Sequence, residues 1–141
     1  MGESTELNAK AVPMIAPDDY GTTAPTTTAL IAVDTLGFKW LSILASVGNI
    51  AGTSITIKAQ GSATSGGTYA DITGATFTAF GDTDDDTAKY IILDCHKLAA
   101  AERFVKLFVT YVSITASEVG AIGLLHQGAD PAFGVDPDVV V

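Results

Sequence analysis

Basic residues are scarce in this 141-residue chain, where seven Lys and Arg stand against sixteen Asp and Glu for a formal charge of −9. A phosphate backbone selects the opposite sign, so no direct nucleic-acid partner is expected. Cysteine is nearly absent. Cys95, the single one, can form neither an intramolecular disulfide nor a cysteine-rich metal site, and it fits a reducing compartment. No uninterrupted apolar run approaches the ~18 residues of a membrane helix. The start, Met1-Gly2-Glu3-Ser4, lacks the basic and apolar segments of a secretory signal. The expectation is a protein made in the cytoplasm with no membrane partner. Charged residues make up 16% of the chain, below the typical ~25%. Thr, Ser, Ala and Gly fill the gap, and polar surface without charge suits packing against neighbouring molecules.

The best-defined stretch is TSITIKAQGSATSGGTYADITG, residues 53–74. Ile55 and Ile57 alternate with Ser54, Thr56 and Lys58, the period of a half-buried strand. Gly61 to Gly67 then supplies turn chemistry, and Tyr69 and Ile72 resume the apolar marks of a returning strand. Before this hairpin, residues 26–33 read as a β-branched strand. Residues 39–47 alternate again, with Leu41, Ile43, Ala45 and Val47 on the core face. Gly48-Asn49 and Ala51-Gly52 read as a turn between that strand and the hairpin.

Beyond the hairpin, residues 75–80 and 89–95 predict two short strands around an acidic loop, Asp82 to Asp86. Residues 96–103 offer the one plausible helical turn, too short to stand alone. Residues 104–114 are the most strand-like segment. Val105, Leu107 and Val109 fit a core face, while Phe104, Phe108 and Val112 form a second apolar face suited to an oligomer interface. Residues 121–126 end the pattern as a last strand. Seven or eight strands at ~10-residue spacing with almost no helix predict a single all-β domain of β-sandwich or jelly-roll type. The expected division is an extended, proline-rich N-terminal arm over 1–25, the sandwich over 26–127 and a C-terminal tail over 128–141. In the arm, Val12, Met14 and Ile15 form an apolar island fit to dock on another surface.

Reactive constellations are hard to build from these residues. Asp82, Asp84 and Asp86 imitate the opening of a calcium loop, yet Thr87 stands where that loop needs Gly and Leu93 where it needs Glu. Asp94-Cys95-His96 has the residue types of a thiol triad, but a strand would point the middle side chain away from its neighbours. His126 has no ligand spacing to either of them. Gly66-Gly67 and Gly120-x-x-Gly123 lack the strand-to-helix context of a phosphate cradle. The expectation is a non-enzymatic protein with no metal and no cofactor. Trp40, Tyr69 and Tyr90 leave open a sugar-stacking platform, and hence a glycan-binding module.

Three motifs carry a family resemblance: VDTLGF at 33–38, TSGGTYADITG at 64–74, and YIILD followed by RFVKLFVT within 90–110. Over residues 33–123 the chain resembles small tailed-phage head decoration, or cement, proteins. The resemblance implies a β-sandwich that assembles, often as a homotrimer, on the outer surface of an icosahedral shell. Its partner would be the major capsid protein and its location the virion. A tail-tube or tail-fibre component is the neighbouring alternative.

Overall fold

The structure, a computed structural model, describes residues 9–127 and 139–140. Its spine is a pair of 23-residue strands, β3 (Trp40–Ser62) and β6 (Phe104–His126). They pair antiparallel along their whole length, from Trp40↔His126 to Ser62↔Phe104. Neither strand runs straight. One extra residue on β3 falls between Val47↔Val119 and Ile50↔Ser117, and one extra on β6 falls between Ala51↔Ala116 and Gly52↔Ile114. The second bulge cancels the first, so the starting register resumes below them. Each bulge bends its strand and strips a ladder partner from nearby backbone groups. Carboxylates take over that role: Asn49 N–H donates to Glu118 Oε1 at 2.9 Å and Ile50 N–H to Asp85 Oδ1 at 3.0 Å. At the second bulge the chain enters the left-handed region, with φ +133° at Gly52 and 51° at Ser113.

Shorter strands flank this spine. In the upper half, β1 (Lys10–Asp19) lies along β6 from Leu125 to Glu118, and β5 (Ala88–Asp94) lies along β3 from Ser46 to Trp40. In the lower half, β2 (Val33–Asp34) pairs with Val105 and Phe104, while β4 (Ala70–Thr76) returns along Lys58, Gln60 and Gly61 as the second arm of the hairpin. β7 (Val139–Val140) pairs in parallel with Ile91 and Ile92. The all-β expectation holds. The seven strands among the described residues join in one sheet, and the same two long strands run through both halves; this connectivity does not confirm the two layers of a sandwich or jelly roll.

Bending lets both halves bury one set of side chains. Leu41, Ile43, Ala45 and Val47 from the upper half join Ile55, Ile57, Val105, Leu107 and Val109 from the lower, with Phe77 and Phe80 from the segment after β4. Full burial of each large apolar side chain contributes ~1.5–3 kcal/mol. The period of two read for 39–47 and 104–109 therefore faces the core as expected.

Several expected boundaries move. The arm over 1–25 is no arm at residues 10–19, which form an edge strand of the sheet; Pro13 and Pro17 fall where the β1–β6 register shifts, the positions at which a strand tolerates proline. Residues 26–33 are mostly a turn, closed by Ala29 and Leu30 N–H donating to the Thr26 carbonyl, and only Val33–Asp34 is strand. The turn expected at 48–52 is the bulged middle of β3, and the strands expected at 104–114 and 121–126 are one strand. Past Thr76, Phe77 N–H still donates to the Ile57 carbonyl and Phe80 bridges to Ile55, without a continuous strand between them. Residues 95–97 and 100–102 form two 3-10 turns where one helical turn was expected. Of the tail over 128–141, all but Val139 and Val140 lies outside the described residues.

Candidate interaction surface

The lower half of the ribbon turns one face to the core and the other to solvent. Because successive side chains alternate, burial of Val105, Leu107 and Val109 forces Phe104, Lys106, Phe108, Thr110 and Val112 outward. Register sets their neighbours across the ribbon: Ser62, Gln60, Lys58, Thr56 and Ser54 in that order. Phe108 and Val112 are each 45% exposed. Such a strip on a rigid two-stranded support is an apolar contact surface framed by polar groups.

Charged side chains hold the aromatic members in place. Lys58 Nζ bonds Asp71 Oδ2 at 2.8 Å and lies 5.3 Å from the Phe108 ring centroid. Gln60 Nε2 donates to the other oxygen of Asp71 at 2.8 Å, and these two bonds, with Gln60's the larger influence, hold the Asp71 carboxyl below its ordinary range. At the ribbon's end, Arg103 grips Asp34 with two bonds of 2.8 Å and lies 5.0 Å from the Phe104 ring. Hydrogen bonds from Arg103 lower the Asp34 pKa despite partial desolvation. The partners of this clamp are 69 residues apart in sequence, so no local pattern could have announced it.

The residues expected to anchor on a shell are placed differently. Met14 and Ile15 are fully buried in the domain core, and Val12 packs against it. They are therefore internal contacts of this chain: β1 pairs with β6 and turns them inward. By contrast, Phe108 and Val112 lie on the open face, with Phe104 half-buried beside them.

The aromatics considered for sugar stacking do not come together. Tyr90 is buried, opposite Leu44, whereas Trp40 stands opposite Asp94, four residues further along β5 and so ~13 Å away. Tyr69 belongs to the lower half and lies under the Lys106 ammonium, 4.5 Å from its ring centroid.

The acidic loop is committed to the backbone. Asp84 Oδ2 accepts from Gly81 N–H at 2.6 Å, Asp85 caps Ile50, and Asp86 N–H, with φ 57°, donates to the Gly48 carbonyl at 3.0 Å. Among the described residues no three His, Cys, Asp or Glu side chains converge as a metal site. Asp94-Cys95-His96 is a turn, not a strand. Asp94 ends β5, and its carboxylate accepts the His96 backbone N–H at 3.0 Å, capping the first 3-10 turn. Burial, reinforced by the charge of Asp94, pushes the Cys95 thiol up to about 12, far from the range of a nucleophilic thiolate. That thiol borders a cavity of about 640 Å³ lined also by Leu36, Phe38, Leu98 and Arg103. His126 is buried, 3.4 Å from Ser42 Oγ, and desolvation lowers its pKa. What these arrangements offer is contact area and rigidity. No family model matches the chain, and no curated protein does.

Proposed function

We propose that this chain is a non-enzymatic structural protein of a virion, a decoration protein that binds the outer surface of an icosahedral phage head. The observation that carries this reading is the outward strip of β6, with Phe108 and Val112 exposed on one face, Thr110 between them, on a ribbon whose other face is core. A strip of this kind serves binding by area, and truncating an apolar anchor at the centre of an interface costs ~1–3 kcal/mol. The sequence resemblance over residues 33–123 supplies the partner, the major capsid protein, and the expected assembly, a homotrimer. Cyclic symmetry repeats the same patch pair around the axis, so a strip on each protomer acts three times over. The scarcity of charge fits a surface that is covered in the assembled state.

Cryo-electron microscopy of the particle whose genome encodes this chain tests the reading directly. The chain should occupy regular positions on the outer face of the head, with β6 residues 104–112 against the shell or a neighbouring copy. Density confined to the tail, or a particle without the chain, overturns it.

A further inference from the structure

Charge is unevenly divided in this fold. Around the first bulge, Asp18, Asp19, Glu118 and the four aspartates of residues 82–86 gather, and among the described residues none of them forms an ion pair with a basic side chain. Their backbone caps occupy one carboxylate oxygen apiece and leave the charge in place. Outside this bend the described residues hold seven bases against four acids, Asp34, Asp71, Asp94 and Glu102. One chain therefore carries a strongly acidic region and a basic remainder. The acidic region also contains a hollow. Ser46 and Gly120 pair across the ribbon on the face opposite to buried Val47 and Val119, and with Gly48 they floor a groove of about 240 Å³. Pro17, Asp18, Asp19 and Glu118 border it, all of them exposed.

The strip on β6 has the matching form. Phe108 is 45% exposed, Lys58 stands opposite it across the ribbon, and Lys106 precedes it by two residues on the same face. An open aromatic ring thus lies between two ammonium groups. The Lys106 ammonium has the Tyr69 ring as its contact and, among the described residues, no acidic partner. We propose that this strip docks on the acidic groove of a second copy of the chain. Phe108 enters over Ser46 and Gly120 and against Pro17, while Lys106 and Lys58 meet the carboxylates of Asp18, Asp19 and Glu118. A buried aromatic anchor supplies the affinity and the ring of charges sets the register. Charge complementarity selects a second copy as the occupant, because both halves of the contact are present in one chain. Two different patches meet, so the contact is heterologous and propagates from copy to copy into a ring or a filament. This inference deepens the assembly part of the proposed function. Its test uses the isolated protein, so a failed contact is read in solution and a failed head location is read on particles.

Sedimentation of the full chain tests the contact. Self-association should weaken about five-fold or more between about 0.05 M and about 0.5 M salt. Lys106→Glu and Asp18→Lys should each associate about three- to ten-fold more weakly than the wild type while keeping its circular dichroism spectrum. An equimolar mixture of the two variants should recover the wild-type affinity, because each altered strip then finds an altered groove and each native strip a native one. Phe108→Ala should weaken association about ten-fold or more with the fold intact. Any of four results overturns the proposal: a wild type that stays monomeric at high concentration, association indifferent to salt and to both charge variants, no recovery on mixing, or Phe108→Ala associating like the wild type.

Discussion

Gly52→Ala is the sharpest test of how the long ribbon is built. A Cβ at this position would lie 2.7 Å from Ile114 Cα and closer still to the Ser113 carbonyl oxygen, and both are backbone atoms of the bulge that restores the register. They cannot swing away as a side-chain tip could. The native φ of +133° adds its own cost, because an L-residue is strained there by ~1–3 kcal/mol. Clash and strain together predict a loss of about 2–4 kcal/mol, a large share of the ~5–15 kcal/mol that holds a domain folded. In urea, with m of ~1–3 kcal/mol/M, the midpoint should fall by roughly 1–2 M at little change in m. Gly66→Ala is the control. Its Cβ would meet open space at an ordinary φ, and its effect should stay within about 0.5 kcal/mol. If Gly52→Ala unfolds within that same margin of the wild type, the paired bulges are not what bends the two strands, and the account of the core given above fails with them.

Other consequences are testable in the same way. Ile15→Ala should destabilise the domain by ~2–5 kcal/mol in urea melts, as for a buried core residue; a stable variant that merely lost a binding partner would restore the docking role expected of the N-terminal segment. Val112→Asp, on the exposed strip, should leave the circular dichroism spectrum intact and reduce any self-association seen by sedimentation, whereas Val109→Asp, in the core, should unfold the chain. His126 has a folded pKa below its ordinary value of 6.5, so the unfolded chain binds its proton first. Its contribution is complete above the unfolded pKa and is lost as pH falls through that value toward the folded one. The slope of the urea midpoint against pH between 7.5 and 5 should therefore shrink in His126→Gln. Cys95 should react with a disulfide reagent at least about a hundred-fold more slowly in the native state than in denaturant; equal rates would contradict its burial.

What the sequence determined by itself was everything governed by neighbours along the chain. Alternation at Leu41, Ile43, Ala45 and Val47 and at Val105, Leu107 and Val109 fixed strands and their inner faces, because a period of two admits one assignment once one face is apolar. Gly61 to Gly67 marked the hairpin correctly, because small and permissive residues gathered together favour a chain reversal, here the loop between Gly61 and Ala70. Tertiary structure decided the rest. Gly48-Asn49 and Gly52 carry turn chemistry, and a bulge uses the same chemistry. What separates the two is whether a partner strand continues alongside, and β6, more than fifty residues away, does so here. Pro13 and Pro17 argued against a strand around Met14 and Ile15, yet an edge strand with shifted register has positions where no N–H is required. The Arg103–Asp34 clamp and the groove of Pro17, Ser46 and Gly120 have no local signature. Both arise from which strands end where in the sheet, a consequence of long-range pairing that periodicity along one segment does not encode.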